Sequence, residues 1–294
     1  MRVLIAGASG LIGGALAARL SEAGYDVRKL VRRESRAVGE FRWDPPAGKI
    51  AEGAFDGVDA VVNLCGAPLF PQRWSAARKQ VLFDSRLEPT EVLAEAVAEH
   101  EIPLLVNGSA VGYYGDTGSM TVDENSRHGQ GFLAELCIAW EAATAPAKVA
   151  GARVVSIRTA PVLSGKGGLI GTLKPLFALA LGGKLGGGHQ FMAWISFEDA
   201  ISGIKFLLED DTLSGPVNLT GPKPVTNAEF TKAFGAVLHR PAPWWVPGFA
   251  LKAVLGQLGE EMALYGQRAL PRALEHAGFT FRHNDVESAL AAGL

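Results

Sequence analysis

The sequence predicts an α/β protein, with a Rossmann-type doubly wound parallel sheet and a smaller C-terminal lobe. Short apolar runs alternate with helix-patterned segments through the first half of the chain. Runs such as 3–6, 60–64 and 104–106 are almost continuously apolar, as parallel strands covered by helices on both faces require. The first of these runs also leads directly into a glycine-rich turn and a helix, which is typical of a βαβ unit.

The individual elements follow from this alternation. Strands are predicted at 2–6, 26–31, 59–64, 103–108 and 153–158, and helices at 11–23, 75–84, 86–99 and 132–150. Pro89 and Pro103 punctuate the helical pattern, and we expect one of these helices to be broken. Ligands of such a sheet bind at the carboxyl ends of its strands.

The character of the chain changes after Arg158. Two glycine-rich stretches, 165–168 and 182–188, flank an apolar segment. The remaining predicted elements are a helix at 199–209, a strand at 216–219, a helix capped by Thr226 or Asn227 with Glu229 near the capping-box position, helices at 248–257 and 260–276, and a final helix. We therefore predict a dinucleotide-binding domain at 1–160 and a substrate lobe at 161–294. Some segments of that lobe are expected to return to the sheet, and 248–294 forms an additional helical segment.

Composition excludes several classes of function. The formal net charge of −2 gives no electrostatic footprint for nucleic acid, and no polybasic run predicts contact with a membrane surface. Two cysteines make no disulfide framework, and the six histidines are scattered, so we expect no metal site. No stretch approaches the ~20 apolar residues of a membrane span. The chain is expected to be cytoplasmic.

The turn after the first strand carries the strongest functional signal. It reads Gly7-Ala-Ser-Gly-Leu-Ile-Gly13 and opens a helix, whose free backbone N–H groups and dipole suit a pyrophosphate. In such a turn Gly7 permits the tight bend, Gly10 lets the phosphates approach, and Gly13 lets the helix pack closely on its strand. The predicted dinucleotide-binding residues of this turn are Gly7, Ser9, Gly10, Leu11, Ile12 and Gly13.

The end of the second strand predicts which dinucleotide binds. Arg32 and Arg33 stand about 20 residues beyond the glycines, where an arginine accommodates a 2′-phosphate and an acid binds a 2′-hydroxyl. Guanidinium groups pair bidentately with phosphate, so NADP is favoured over NAD. Glu34 leaves the alternative open, because a shift of one residue places an acid at this position.

The chain resembles the extended short-chain dehydrogenase/reductase superfamily, and within it the atypical epimerase-family proteins with an additional C-terminal segment. The motifs that carry the resemblance are Gly7–Gly13, Val62–Ala67, Arg73-Trp74, Ser85-Arg86, Ser109–Gly115, Trp140-Glu141, Arg158–Leu163, His189-Gln190, Trp194-Ile195 and Val217–Thr220. The resemblance implies that Leu64, Cys65 and Gly66 flank the adenosine and pyrophosphate, that Arg86 contacts the cofactor, and that Pro161 and Val162 lie near the nicotinamide. By superfamily analogy, the helix at 86–99 is a candidate homodimer surface.

Active members of this superfamily use a Tyr-x-x-x-Lys pair on a helix, and the chain lacks it. A spacing of four puts both side chains on one helical face, where the ammonium lowers the pKa of the phenol. The literal match that starts at Tyr25 falls in a strand, where four residues separate the pair by ~13 Å. At the expected helix, Phe132 or Leu133 takes the tyrosine position and Leu136 or Cys137 the lysine position.

Other side chains are therefore candidates for the chemistry. Ser109 matches the serine that binds a substrate carbonyl, and Tyr113, Tyr114 or His189 is a candidate for the missing acid. The candidate pocket residues are Arg73, Trp74, Gln190, Met192 and Trp194. Two hypotheses follow: an NADP(H)-dependent oxidoreductase or epimerase-like enzyme for a small carbonyl or sugar-type compound, and a catalytically silent NADPH-binding sensor.

Overall fold

The computed structural model describes residues 1–294. The strands are β1 Arg2–Ala6, β2 Asp26–Val31, β3 Glu40–Asp44, β4 Lys49–Ile50, β5 Ala60–Asn63, β6 Leu104–Ala110, β7 Thr121–Val122, β8 Arg153–Thr159, β9 Val162–Leu163, β10 Gly183–Leu185, β11 Phe191–Met192, β12 Ile195–Ser196, β13 Gly215–Leu219, β14 Val225–Thr226, β15 Trp244–Val246 and β16 Arg268–Ala269.

The helices are α1 Leu11–Glu22, α2 Ala76–Glu99, α3 Phe132–Ala142, α4 Ala145–Val149, α5 Gly168–Ala178, α6 Phe197–Glu209, α7 Asn227–Val237, α8 Gly248–Leu255, α9 Gln257–Gly259, α10 Arg272–His276 and α11 Val286–Gly293. Short 3₁₀ turns lie at Pro45–Ala47 and Val111–Tyr114, and Glu260–Leu264 forms a π turn.

A single eight-stranded sheet, in the order β13-β8-β6-β5-β1-β2-β3-β4, forms the centre of the molecule. All of its neighbouring strands are parallel except β4, which pairs antiparallel with β3. Side chains of β1 alternate between two cores: Val3 and Ile5 pack in the core that contains residues of α1 and α6, and Leu4 and Ala6 in the core that contains residues of α2 and α4. The predicted doubly wound fold is confirmed.

The sheet reverses its direction of growth at β1. From β1 the chain adds β2 on one side and, later, β5 on the other. At such a switch point the loops leave a crevice beyond the carboxyl ends of the two strands, which is where α/β proteins bind their ligands. The glycine turn after β1 and the 64–75 loop after β5 border this crevice.

A second lobe is built mainly from residues after Thr159. Its core combines buried side chains of α5, α7 and α11 with Trp194. Within this part of the chain, α6 packs on α1 and β13 pairs with β8 as the last strand of the large sheet. The C-terminal residues bond back to the lobe, since the Gly165 N–H donates to Gly293 O at 2.7 Å.

Three predicted boundaries are wrong, each because of a proline or a tertiary contact. The helices predicted at 75–84 and 86–99 are one helix, α2, with Pro89 inside it. The residues around Pro89 are buried against the sheet side of α2, and this packing outweighs the local cost of the proline. The helix predicted at 132–150 divides into α3 and α4, because Pro146 cannot continue α3 but suits the first turn of α4.

The helix predicted at 260–276 is the third. After Leu264 the chain becomes extended, Arg268–Ala269 pairs with β7, and only Arg272–His276 is again helical after Pro271. By contrast, the predicted cap of α7 is confirmed: Thr226 and Glu229 form a complete capping box.

No helix has the length and apolar character needed to cross a bilayer. No three His, Cys, Asp or Glu side chains are grouped to hold a metal ion.

Candidate functional site

The glycine turn between β1 and α1 is packed at backbone contact. Gly7 has φ +83°, and a Cβ on it would lie 2.7 Å from the carbonyl oxygen of Leu64. A Cβ on Gly13 would lie 2.3 Å from the carbonyl oxygen of Gly7. The turn itself is closed by a hydrogen bond from Gly10 N–H to Gly7 O at 3.0 Å. Only glycine at positions 7 and 13 allows the turn, the end of β5 and α1 to approach this closely.

The first turn of α1 presents free hydrogen-bond donors. The backbone N–H groups of Leu11, Ile12 and Gly13 have no acceptor, and the first amide of α1 with a partner is that of Gly14. The N-cap residue is Gly10, which has no side chain to cap the helix, and no acidic residue lies in the first turn. Ser9 is exposed beside these amides. Unpaired amides and the positive end of the helix dipole form an anion-binding site.

The residues after β5 form the opposite wall of the crevice. Leu64 and Cys65 are half-buried and Gly66 is exposed. The side-chain oxygen of Asn63 accepts the Cys65 N–H at 3.1 Å and holds the chain as it leaves the strand. Burial raises the pKa of the Cys65 thiol to about 12, so this cysteine remains neutral.

The arginines at the end of β2 have different surroundings. Arg33 makes a two-point ion pair with Glu40, with distances of 2.7 and 2.8 Å between nitrogen and oxygen atoms. Hydrogen bonding from Arg33 lowers the pKa of Glu40 to about 2. Glu34 is paired with Arg42. Arg32 is exposed and its side chain contacts no hydrogen-bond partner, so of the two arginines Arg32 is the one available to a ligand.

Arg86 is a buried cation beside the same crevice. Its guanidinium donates to the carbonyl oxygens of Leu82 and Ala67 at 3.1 Å each and lies 5.2 Å from the ring centre of Trp140. No carboxylate pairs with it, and burial lowers its pKa to about 10. A Cβ on Gly66 would lie 3.1 Å from its Cζ, which places the guanidinium directly beneath the β5 loop.

Pro161 and Val162 leave the carboxyl end of β8 and are half-buried. Val162 pairs with Ile195, whose N–H donates to Pro161 O at 3.1 Å. They join the sheet to the second lobe at the edge of the crevice.

Ser109 belongs to a buried polar network below the crevice. Its hydroxyl donates to Glu141 Oε1 at 2.7 Å, and the two oxygens of Glu141 accept from Arg158 at 2.8 and 2.9 Å. Ser109 itself is only 4% exposed. This geometry supports a structural role for Ser109 better than the predicted role as a donor to substrate.

The two tyrosines also differ. Tyr114 is buried, donates to Asn218 Oδ1 at 2.7 Å and accepts from Arg158 at 3.0 Å. Burial raises its pKa to about 12, which suits a structural hydroxyl rather than a proton donor. Tyr113 is half-buried, its ring lies 3.4 Å from the Arg158 guanidinium carbon, and its hydroxyl has no hydrogen-bond partner.

Helix α3 carries no acid/base pair toward the cleft. Phe132 and Leu136 lie in an apolar cluster with Trp74 and Leu258. Cys137, the other candidate for the lysine position, is buried and its pKa is raised by that burial to about 11. These side chains therefore pack the interior, and none of them supplies an acid or a base to the cleft.

Glu261 is a buried residue that sequence reasoning missed. Its two carboxylate oxygens accept the N–H groups of Phe132 and Leu133 at 2.9 and 2.8 Å, so a residue of the C-terminal segment caps α3. A Cβ on Gly131 would lie 3.0 Å from the carboxylate. Only Gly131 before an apolar helix hinted at this contact in the sequence, because the acceptor lies 129 residues away.

The predicted pocket residues are not all at the cleft. Trp194 is fully buried and its indole donates to Lys223 O, so it is a core residue. Gln190 is held by donating to Leu185 O and Ala263 O. Met192 is half-buried at the edge of the second lobe's core, and His189 is exposed in its glycine-rich loop.

Arg73 and Trp74 lie at the end of the 64–75 loop. Trp74 is buried and donates to Leu69 O at 3.0 Å, which makes it an anchor of this loop. Arg73 is exposed and reaches the end of α8, where its nearest acceptor is Ala253 O at 3.5 Å. Of the predicted pocket residues, Arg73 is therefore the one that is exposed, and Met192 is half-buried with no side-chain hydrogen bond to hold it.

Two family models match separate parts of the chain. Residues 3–219 match the NAD dependent epimerase/dehydratase family, and residues 246–292 match a domain of unknown function (DUF1731). Epimerase family protein Mb2239 of Mycobacterium bovis is 52% identical over 98% of this chain and 96% of its own length. A chloroplastic SDR39U1 homolog of Arabidopsis thaliana is 37% identical over 99% of the chain and 86% of its own length.

Among solved structures, human epimerase family protein SDR39U1, crystallised with NADPH, superimposes with a TM-score of 0.90. It is 32% identical, and the match covers 100% of this chain and 99% of the human one. The predicted resemblance to the atypical epimerase family is therefore confirmed.

Proposed function

Because the chain belongs to the NAD dependent epimerase/dehydratase family, we propose that it is an NADP(H)-dependent oxidoreductase of a small carbonyl or hydroxyl compound. In this proposal the proton is handled without the Tyr-x-x-x-Lys pair. The residues of α3 that replace this pair are apolar or neutral and are packed in the interior.

The three unpaired amides of Leu11, Ile12 and Gly13 carry the proposal. The turn that presents them depends on Gly13, where a Cβ would lie 2.3 Å from the carbonyl oxygen of Gly7, and the positive end of α1 adds attraction for a pyrophosphate. Arg32, which has no partner, stands at the end of β2, where the ribose of a dinucleotide bound to such a turn is read. The residues present therefore fit NADP(H), the ligand of the human relative.

When bound, NADP(H) supplies or accepts the hydride. In this chain, Arg32 would pair with the 2′-phosphate, Leu64, Cys65 and Gly66 would border the adenosine and pyrophosphate, and Pro161 and Val162 would border the nicotinamide. Arg86, a cation without a counter-ion, contributes positive charge beneath the β5 loop.

For the proton we propose the Tyr113 hydroxyl as the first candidate, because Ser109 and Tyr114 are both bonded within the buried network. The exposed imidazole of His189 and a water molecule are the alternatives. Arg73 and Met192 are proposed to contact the substrate. The domain division proposed is a dinucleotide-binding unit of residues 1–160 completed by α6 and β13, with the remainder as the substrate lobe.

We also propose a cytoplasmic location, which the two unpaired cysteines support.

A homodimer through α2 is not supported electrostatically. Asp84, Glu88, Glu91 and Glu95 form a stripe at helical spacing, and burial together with the charges of Asp84 and Glu91 raises the pKa of Glu88. Two copies related by a two-fold axis would bring these stripes together.

A catalytically silent sensor of NADPH is the second candidate. The observation that favours it is the replacement of the expected acid/base pair by buried Phe132, Leu136 and Cys137. A sensor requires that cofactor binding alters the lobe, and the Pro161–Ile195 hydrogen bond connects the crevice to that lobe directly.

The test combines calorimetry with a substrate panel. We expect NADPH to bind at least roughly tenfold more tightly than NADH, because a charge-assisted contact contributes about 1.5–3 kcal/mol. NADPH oxidation by at least one carbonyl compound, reduced in Tyr113→Phe and unchanged in Tyr25→Phe, supports the enzyme. Tight NADPH binding with no turnover across the panel supports the sensor, and no binding of either nucleotide refutes both.

A further inference from the structure

Five large apolar side chains lie exposed on neighbouring segments of the second lobe. Leu179 (71% exposed) and Leu181 (53%) follow α5, Trp244 (56%) and Trp245 (60%) lie in β15, and Phe249 (77%) lies in α8. The pairing of β10 with β15 brings these segments together. Helix α8 has no buried residue at all. We call these five residues the apolar patch; several large exposed apolar side chains on neighbouring segments mark an interaction site.

The two indoles of the apolar patch already have hydrogen-bond partners within the protein. Trp244 Nε1–H donates to Ala180 O at 2.8 Å, and Trp245 Nε1–H donates to Gly186 O at 2.7 Å. The one polar atom of each ring is therefore already hydrogen-bonded. Both rings can enter an apolar phase without losing a hydrogen bond to water, which removes the usual cost of burying a tryptophan.

Unpaired cations lie beside the apolar patch. Segments 168–196 and 230–259, which contain the patch, have no Asp or Glu, although the whole chain has a net charge of −2. Their cations are Lys174, Lys184, Lys232, Arg240 and Lys252, of which Lys252 is paired with Glu260 and Lys174 donates to Leu294 O. Lys184, Lys232 and Arg240 line one shallow cavity beside Trp244, and none of the three is paired with a carboxylate. Positive charge around exposed aromatic and aliphatic side chains is complementary to an anionic lipid surface.

We propose that this face of the second lobe binds the surface of a membrane that contains anionic lipids. The rings and leucines of the patch enter the headgroup boundary, and the three unpaired cations meet lipid phosphates. An acidic protein is the less favoured occupant, because both indole N–H groups are already used and add no directional contact for it. The sequence has no polybasic run, and for this reason it predicts no membrane contact. The fold brings the cations together from separate segments.

The test is co-sedimentation with vesicles of phosphatidylcholine alone and of phosphatidylcholine mixed with phosphatidylglycerol. We expect binding to the mixed vesicles only, weakened by salt because surface charges are screened. Phe249→Ser and Trp245→Ser should each reduce binding by roughly tenfold, given the apolar area that each ring buries. Lys184→Gln and Lys232→Gln should each reduce it by about fivefold.

Val149→Ser is the matched control, since Val149 is 88% exposed on α4, outside the patch. It should bind vesicles as the unaltered protein does, and all variants should retain NADPH affinity, which separates this proposal from the proposed function. Equal binding to both vesicle types, no binding, or no effect of Phe249→Ser would overturn the proposal. The proposal would also be overturned if a second copy of the chain covers the patch. In that case light scattering would show a dimer, and Trp245→Ser would convert this dimer to a monomer. Binding of an acidic polypeptide such as polyglutamate in preference to mixed vesicles would favour a protein partner instead.

Discussion

Two adjacent arginines at the end of β2 differ in what they contact, and this difference makes the cofactor assignment testable at the level of single residues. Arg33 is held by Glu40 through two hydrogen bonds, and Arg32 contacts no acceptor. We expect Arg32→Ala to weaken NADPH binding by roughly tenfold or more, because a guanidinium–phosphate contact is charge-assisted. NADH affinity should change little, and calorimetry with both nucleotides measures the contrast.

Arg33→Ala is the matched control for this experiment. It removes an ion pair with Glu40 rather than a free cation, so the ratio of NADPH to NADH affinity should fall less than in Arg32→Ala. Equal losses for both nucleotides in Arg32→Ala would contradict the assignment of the 2′-phosphate to this residue.

The two cysteines allow a prediction about pH. Burial raises the pKa of Cys65 to about 12 and that of Cys137 to about 11, from an ordinary value of 9.0. The folded protein therefore favours the neutral thiols, and this contribution to stability is complete below pH 9 and is lost as the pH rises toward 11 and 12. At pH 8 we expect iodoacetamide to alkylate both thiols at least roughly tenfold more slowly in the native protein than in urea. Native rates equal to the unfolded rates would contradict it.

At the scale of elements, Glu261 connects the C-terminal segment to the first turn of α3. Its carboxylate accepts two backbone N–H groups and is 3% exposed. Glu261→Ala leaves the buried Phe132 N–H without an acceptor, and we expect a loss of about 1–3 kcal/mol in the free energy of unfolding. This corresponds to roughly 2–4 °C in Tm for each kcal/mol, measured by thermal denaturation.

Glu260 provides the control for the α3 cap. It is paired with Lys252 at the surface and bonds to no part of α3, so Glu260→Ala should cost at most about 1 kcal/mol. A Glu261→Ala protein as stable as Glu260→Ala would show that α3 does not depend on this cap.

The turn before α1 is testable in the same way. A Cβ on Gly13 would lie 2.3 Å from the carbonyl oxygen of Gly7, but one on Gly14 would lie 3.3 Å from that of Ala8. Gly13→Ala must therefore displace the turn and its amides, and we expect NADPH affinity to fall by roughly a hundredfold. Gly14→Ala should have a much smaller effect in the same titration. Similar affinities for the two variants would contradict the close packing of this turn.

Much of this element-level organisation is visible in the sequence, because it depends on short patterns. The bounds of β1 and β2 match their prediction, and the glycine turn lies where the motif places it. The continuity of α2 across Pro89 and the Glu261 cap were not predictable, since both depend on packing between distant segments. Ser109 shows the same limit: its place in the sequence matches a substrate-binding serine, but its hydroxyl is bonded to Glu141 across the fold.

At the scale of the whole molecule, the C-terminal segment is part of the second lobe rather than an appendage. The backbone N–H groups of Arg282 and His283 donate to the buried carboxylate of Asp199 at the start of α6, and Ser196 donates to the same carboxylate. Helix α6 also packs on α1, beside the glycine turn. A continuous set of contacts therefore runs from the C-terminal segment through α6 to the dinucleotide-binding unit.

This continuity predicts that the two lobes unfold together. Leu290 of α11 is fully buried in the core of the second lobe, and Leu290→Ala should cost about 2–5 kcal/mol. We expect one cooperative transition, shifted equally when followed by tryptophan fluorescence and by loss of NADPH binding, because α6 packs in the core of the large sheet and is bonded through Asp199 to the C-terminal segment that leads into α11. Leu179→Ala, at a leucine that is 71% exposed, is the control and should change stability by less than about 0.5 kcal/mol. Two separate transitions in Leu290→Ala, with NADPH binding kept after the first, would show instead that the dinucleotide-binding unit folds independently of the lobe.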